Sequence, residues 1–248
     1  MSVSLRVMGH TSHSQAWLES ALGREVLAIE ARLLQEQLAD VFGFELLQVG
    51  AWGADVELHA AARTQHRRVV APDARCANSI RAQYHALPVA TASVEAVLLP
   101  HTLEQAARPH DVLREADRVL MGEGHLLICG FNPVGLWGAR HLVSGRKFPP
   151  IIERVLTERR VRDWLRLLGF EIAPTRRYLY APPWQGFWSE GAGRWLEARG
   201  PRLAAPLAGA YLLKARKRVA AITPIRPVWQ SPPKMVGSVA KPTSRSAA

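Results

Sequence analysis

The segment that follows Arg108 constrains the fold more than any other, and it reads "RPHDVLREADRVLMGEGHLLICGF". Pro109 stands where a helix begins, and Gly122 and Gly124 are placed to end that helix. The run "HLLICGF" (125–131) is almost continuously apolar, which predicts a buried strand. The apolar residues of the preceding helix fall on one face: Val112, Leu113, Ala116, Val119 and Leu120. An amphipathic helix that leads into a fully buried strand is typical of an α/β protein with a parallel sheet.

The same alternation runs through most of the chain. Helical spacing predicts helices over 15–42, 55–63 and 160–168, with Gly43 and Gly169 ending the first and last of them. Apolar runs predict strands at "FELLQVG" (44–50), "RRVVAPD" (67–73) and 94–99. Two late strands, "FEIAPTRRYLY" and "GAYLLKARK", follow with no evident helix between them. The pattern predicts a mostly parallel sheet with helices on both faces and a terminal antiparallel strand pair.

Charge is distributed unevenly along the chain. The formal net charge is +11, yet ten of the 32 Lys and Arg residues and none of the 21 acidic residues lie after Glu197. We therefore expect an N-terminal extension (1–14), one domain (15–223) and a basic, Pro/Ser-rich disordered tail (224–248). A basic tail raises encounter rates with nucleic acid or with an acidic partner. The alternative, a solvated extension that makes no specific contact, is favoured because the basic residues are not interleaved with aromatic residues that would stack on bases.

Several classes of protein are not indicated. The two cysteines, Cys76 and Cys129, lack metal-ligand spacing, so we expect no metal, no disulfide and a cytoplasmic location. The apolar run Leu203–Leu213 is about half as long as the roughly 20 residues of a membrane-spanning helix, so no transmembrane segment is expected. The first fifteen residues contain no apolar stretch of the kind found in secretory signals.

Residues 87–131, "LPVATASVEAVLLPHTLEQAARPHDVLREADRVLMGEGHLLICGF", resemble the class I S-adenosylmethionine-dependent methyltransferases of the type 11 group. The likeness runs from a Leu-Pro loop through strand four and the following helix to strand five, and extends more weakly over 15–218. It implies a Rossmann-like class I methyltransferase fold, S-adenosylmethionine as cofactor and a methyl acceptor that the sequence does not identify.

The resemblance also implies a cofactor-binding turn after strand one. Glycine lets the backbone approach a cofactor closely, and here the turn contains Gly50 and Gly53. Gln48 stands where the family usually has an acidic residue, and Trp52 stands between the two glycines. The indole of Trp52 either lines the edge of the cofactor or fills the space that the cofactor needs.

Four more residues are implied as cofactor contacts. Asp73 lies at the end of strand two, close to the separation of roughly 20 residues found in nucleotide-binding units, and would bind the ribose hydroxyls. Its alternative is a turn aspartate after Pro72. Gln83 takes the place of an aspartate that contacts adenine, and Leu99 and Pro100 end strand four.

Two residues at strand ends are candidates for catalysis. His101 follows strand four, and its imidazole would serve as a general base or bind substrate. Asn132 follows strand five and would orient the acceptor. The alternatives are a loop histidine and a turn asparagine before Pro133. Residues 137–152 are expected to cover the site.

Two functions therefore compete. The first is an S-adenosylmethionine-dependent methyltransferase, supported by residues 87–131 and by Gly50, Gly53 and Asp73. The second is a catalytically silent methyltransferase-like module that binds RNA or an acidic partner through its basic tail, supported by the departures at Gln48, Trp52 and Gln83. A Rossmann dehydrogenase is disfavoured because the chain has no G-x-G-x-x-G.

Overall fold

The fold is built on an eight-stranded sheet. The computed structural model describes residues 16–72, 79–143, 148–150, 152–184, 192–203 and 205–219. Within these residues the strands are β1 (Phe42–Val49), β2 (Arg63–Ala71), β3 (Ser79–Arg81), β4 (Val94–Pro100), β5 (Leu120–Phe131), β6 (Phe170–Ile172), β7 (Arg176–Tyr178) and β8 (Ala210–Lys217).

The order of the strands reverses at β1, in the middle of the sheet. The order is β3-β2-β1-β4-β5-β8-β6, with β7 also paired to β8. The first five strands are parallel, whereas β8 runs antiparallel to β5, β6 and β7. The chain leaves β1 toward β2 on one side and later returns to β4 on the other. In open α/β sheets, ligands bind outside the carboxyl ends of the strands at such a reversal. The predicted fold class is confirmed.

Helices cover the central strands on both faces. They are α1 (Ala21–Leu38), α2 (Thr102–Gln105), α3 (Pro109–Val119), α4 (Leu136–Val143), α5 (Glu158–Leu167) and α6 (Ala192–Leu203). The side chain of Ser20 caps α1 by accepting a hydrogen bond from the Gly23 N–H. The apolar stripe of α1 packs with Leu46 and Leu98 on one face of the sheet, and α3 and α5 pack with Leu47 on the other. No helix among the described residues is long and apolar enough to cross a membrane.

The predicted helix over 55–63 is wrong. A single short 3-10 turn, Ala54–Val56, is followed by irregular turns up to β2. Gly53 and Glu57, on either side of that turn, have φ values of 61° and 49°, in the left-handed region that ends a right-handed helix. The stretch between β1 and β2 therefore supplies no helix to cover these two strands.

Other boundaries also differ from the sequence prediction. The first helix ends at Leu38, so Gly43 lies inside β1, and Gly122 and Gly124 lie inside β5 rather than closing α3. β2 begins at Arg63, four residues early, and α6 lies between the late strands, where no helix was predicted. The predicted extension (1–14) and the predicted tail (224–248) lie outside the described residues.

Candidate active site

The candidate site lies at the carboxyl ends of β1, β4 and β5. β1 leads into the turn that contains Gly50, β4 leads into His101, and β5 ends at Phe131. His101 adopts φ 54°, an uncommon conformation for a residue other than glycine. This conformation directs the chain from β4 into α2, and the His101 side chain lies inside the protein.

The imidazole of His101 is held between two buried carboxylates. Its Nδ1 lies 2.7 Å from Oε2 of Glu104, and its Nε2 lies 2.8 Å from Oε1 of Glu30. All three side chains are almost completely excluded from solvent. Because both ring nitrogens face carboxylate oxygens, the arrangement suits an imidazolium that donates two hydrogen bonds.

The electrostatics of the cluster favour a charged His101. Burial alone would lower the pKa of this imidazole, but the Glu30 and Glu104 carboxylates outweigh burial and raise the pKa to about 9. Burial raises the pKa of the Glu104 carboxyl, and the nearby His101 opposes that rise. At neutral pH, His101 therefore holds its proton and has no free lone pair with which to accept another.

Glu30 connects the helix α1 to the rest of the site. Its Oε2 accepts a hydrogen bond from the indole N–H of Trp52 at 2.8 Å, and its Oε1 accepts one from the hydroxyl of Tyr178 at 2.9 Å. Glu104 uses its remaining oxygen to accept the backbone N–H of Phe131 at 2.7 Å. The two carboxylates thus join α1, the turn after β1, α2, the end of β5 and β7.

Gln48 fixes the turn after β1. Its amide nitrogen donates to the backbone oxygens of Gly50 and Trp52 at 3.1 and 3.0 Å, and its amide oxygen lies 3.0 Å from Nδ1 of His59. Two carbonyl groups need a donor here, which a glutamate or aspartate does not supply. Gly50 has φ 111°, and a Cβ at this position would lie 2.7 Å from Oγ1 of Thr102, so only glycine suits the turn.

Six aromatic rings, including that of His101, form a closed circuit of contacts. Consecutive ring centroids are 5.7, 4.4, 4.2, 5.7, 5.7 and 6.0 Å apart. In order around the circuit the rings belong to Trp17, Trp52, His101, Phe131, Trp137 and Phe148. Trp137 and Phe148 belong to the segment predicted to cover the site, and the Arg140 guanidinium lies 3.9 Å from the centroid of the Phe148 ring.

The remaining predicted contacts are placed as follows. Leu99 and Pro100 are buried, and Gln83 is exposed and forms an isolated bridge with Ala86. The amide nitrogen of Asn132 donates to two backbone oxygens, those of Pro206 and Ala208, and its amide oxygen accepts the Val134 N–H. Asp73 lies outside the described residues.

Glu30, Glu104 and Tyr178 were not predicted from the sequence. Glu30 carried a usable signal, because it interrupts the apolar series Leu22, Val26, Leu34 and Leu38 at a position that faces the core. Glu104 lies three residues after His101, one helical turn away on α2. Tyr178 gave no comparable signal. Among the described residues, no group of three or more His, Cys, Asp or Glu side chains is arranged to hold a metal ion.

Comparison with known proteins identifies the family. The family described as "Methyltransferase domain" matches residues 28–128. The uncharacterized protein YafS of Escherichia coli strain K12 is 37% identical over 201 residues, which cover 81% of this chain and 79% of YafS. The chain belongs to the class I S-adenosylmethionine-dependent methyltransferases.

Solved structures of methyltransferases share the fold of this chain at low sequence identity. A methyltransferase of Thermotoga maritima has a TM-score of 0.62 at 16% identity, covering 84% of this chain and 96% of that chain. One from Archaeoglobus fulgidus has a TM-score of 0.56 at 16% identity, covering 77% and 93%. A geranyl diphosphate methyltransferase in complex with S-adenosylmethionine has a TM-score of 0.54 at 16% identity, covering 77% and 85%.

The chemistry of the site fits the cofactor of this family. S-adenosylmethionine carries a sulfonium cation, and the site offers two carboxylates and several aromatic faces, which are the groups that attract cations in proteins. Gly50 and Gly53 keep the backbone conformations that allow close approach. The indole of Trp52 is the exception, because it is buried against His101 within the turn.

Proposed function

We propose that this protein uses S-adenosylmethionine to methylate an acceptor at the carboxyl ends of β1, β4 and β5, with β2 leading to the ribose contact. The bound cofactor supplies an electrophilic methyl group on a sulfonium. In this family reaction, positioning of the two reactants and exclusion of water can provide much of the catalysis. The protein's own residues then need to bind the cofactor and the acceptor, orient them and exclude water from them.

One observation carries the proposal. Two buried carboxylates, Glu30 and Glu104, share one imidazolium, His101, whose ring is also part of the aromatic circuit. A ligand in contact with this cluster must suit carboxylate oxygens and aromatic faces, both of which attract cations in proteins. A sulfonium meets both requirements.

We assign the following roles. Gly50, Trp52, Gly53 and Gln48 form the turn against the methionine end of the cofactor, Asp73 binds the ribose and Gln83 the adenine, and Leu99 and Pro100 support the ligand from β4. His101 is a positioning residue that holds the two carboxylates together, because its engaged nitrogens do not suit the predicted general base. Asn132 keeps the loop after β5 in place beside the acceptor.

A second candidate function rests on Trp52. Its indole is only 2% exposed, donates to Glu30 and packs against Trp17 and Phe131. If this arrangement is permanent, the turn is closed and the domain is a silent methyltransferase-like module. The two functions differ in a single measurable property, the affinity for the cofactor.

Calorimetric titration of the full chain with S-adenosylmethionine and S-adenosylhomocysteine tests the proposal. We expect both ligands to bind. We also expect Glu30→Gln to lower the affinity for S-adenosylmethionine, a sulfonium, more than the affinity for S-adenosylhomocysteine, an uncharged thioether. Ligand at 100 times its Kd should also stabilise the native state by about 2.7 kcal/mol. The variant Trp52→Ala tests whether the indole closes the turn. Its control is Trp195→Ala, which removes a half-exposed indole on α6.

The outcomes separate the two functions. Binding to the wild type supports the methyltransferase. Binding only to Trp52→Ala shows that the indole keeps the turn closed and favours the silent module. If neither the wild type nor Trp52→Ala binds the cofactor at millimolar concentration, the proposal is overturned.

A further inference from the structure

Two phenylalanines on β1 are exposed to solvent. Phe42 is 74% exposed and Phe44 is 64% exposed. Alternate residues of a strand point to the same side, so both rings lie on one face, with Cα atoms roughly 7 Å apart. Large aromatic side chains in adjacent exposed positions are costly in water and indicate a binding surface.

Polar and basic side chains lie beside these rings on β2. Phe42 pairs with Arg63, and the neighbouring pairs Gly43–Thr64 and Glu45–His66 place Gln65 beside Phe44. Arg67 follows on the same face of the sheet. Arg63, Gln65 and Arg67 are all exposed. We call the surface formed by Phe42, Phe44, Arg63, Gln65 and Arg67 the β1–β2 face.

A hollow of about 510 Å³ adjoins the β1–β2 face. Gln65 and Arg67 line it from β2, while Glu57 and His59 line it from the irregular turns that replace the predicted helix. The Arg67 guanidinium donates to the backbone oxygen of Ala60 at 2.7 Å, which keeps it at the edge of the hollow. No α-helix lies between β1 and β2, and the turns found there border the hollow rather than close it.

The charge of the two strands is positive. β1 and β2 carry three arginines, and Glu45 is the one acidic residue on them. Glu45 forms an ion pair with Arg68 at 2.8 Å, so Arg63 and Arg67 have no acidic side chain of these strands as a partner. The β1–β2 face thus combines stacking surfaces with cationic groups.

We propose that the β1–β2 face binds single-stranded RNA. Phe42 and Phe44 stack with unpaired bases, Arg63 and Arg67 contact phosphates, and Gln65 bonds to a base edge, which is how sheet surfaces recognise single strands. The Glu57 carboxylate in the hollow only accepts hydrogen bonds and suits a ribose 2′-hydroxyl, which DNA lacks. An acidic peptide would use the arginines but would leave the two rings without a matching partner. The inference does not depend on methyl transfer.

Fluorescence anisotropy of a labelled 12-nucleotide oligouridylate with the full chain tests this surface. We expect the double variant Phe42→Ala/Phe44→Ala to raise Kd at least about fivefold for each stacked base that is lost. The control is Leu142→Ala/Val143→Ala, which removes two exposed apolar side chains from α4. An unchanged Tm in both variants shows that the fold is intact.

A second pair of variants isolates the phosphate contacts. Arg63→Ala/Arg67→Ala should weaken binding and lower the salt dependence by about 0.7 for each phosphate contact. Arg108→Ala/Arg114→Ala removes the same charge from an exposed part of α3 and its preceding residue and should have a smaller effect. The comparison separates local contacts from the attraction of the basic chain as a whole.

Three results would overturn the proposal. The first is oligouridylate affinity that is equal in the wild type and in the phenylalanine double variant. The second is oligothymidylate binding as tight as oligouridylate binding, which would show that the surface does not select RNA through its 2′-hydroxyl groups. The third is an oligoglutamate peptide that binds more tightly than RNA and loses affinity in the phenylalanine variant, which would assign the surface to an acidic protein.

Discussion

The two sides of β1 differ in what covers them. On the side of β4, six of the seven residues of that strand are buried, because α1 lies on one face of the sheet and α3 and α5 lie on the other. On the side of β2, five of nine residues are exposed, because irregular turns replace a helix between β1 and β2. We refer to these as the covered side and the open side.

The difference separates stability from recognition. Fully buried parallel strands are shielded from solvent by the helices that cover them. The cluster of Glu30, His101 and Glu104 lies on the covered side, where its side chains are excluded from solvent. The open side contributes less apolar burial and presents Phe42 and Phe44 to solvent. Gln48 and His59 lie at the border, where one hydrogen bond links the turn after β1 to the hollow of the open side.

The largest effect should come from Glu30. Glu30→Ala leaves the imidazolium of His101, the Trp52 N–H and the Tyr178 hydroxyl without their buried acceptor. Breaking a buried ion pair in this way typically costs about 3–5 kcal/mol. Urea unfolding at pH 7 measures the change, and Glu36→Ala, on the exposed face of α1, is the control. Equal effects of the two substitutions would show that the cluster does not stabilise the covered side.

The pH dependence of stability should report on His101. Its folded pKa of about 9 lies above the unfolded value of 6.5, so its contribution is fully present below pH 6.5 and is lost as the pH rises through 9. The shift corresponds to about 3 kcal/mol. Urea unfolding from pH 6 to 9.5 should therefore show a decline in the wild type that His101→Gln lacks. Parallel curves for the two proteins would contradict a charged His101.

Gln48→Glu tests the border between the two sides. The new carboxylate has no donor for the backbone oxygens of Gly50 and Trp52 and repels them instead. Leaving buried carbonyl groups without a donor costs about 1–3 kcal/mol. Gln35→Glu, at an exposed position of α1, makes the same chemical change in solvent and should be nearly neutral. A Gln48→Glu variant as stable as the wild type would mean that the turn does not depend on this amide.

The smallest effect is expected on the open side. Phe42→Ala and Phe44→Ala remove rings that are mostly in water, so the free energy of unfolding should change by less than about 0.5 kcal/mol. Thermal unfolding of each variant measures this. A loss of 2 kcal/mol or more, the range of a truncated core residue, would show that the rings are packed and would remove the contrast between the two sides.

The sequence predicted the covered side better than the open side. The segment 109–131 combined a proline at the helix start, an apolar stripe and a strongly apolar strand, and these local signals agreed with the tertiary environment. After Gly53 the local sequence and the structure disagree. Residues such as Ala60 and Ala61 are compatible with a helix, but Gly53 and Glu57 adopt left-handed backbone conformations. The helix predicted there does not form.

The candidate site was predicted only in part. His101 was found because it follows an apolar strand, and Gln48 and Trp52 were found because the family resemblance implies a cofactor-binding turn around Gly50 and Gly53. Their partners were missed, since Glu30 is 71 positions from His101 and Tyr178 is 148 positions from Glu30. A carboxylate on the apolar stripe of α1 was the one signal that pointed to such a partner.

The sequence by itself determined most of the helices and strands, and therefore the α/β class, because periodicity and turn residues act over a few positions along the chain. Only the tertiary structure decided that α1 brings Glu30 onto the end of β4 and that β2 remains uncovered. Both depend on contacts between distant segments, and local patterns carry no information on which buried charge will find which partner.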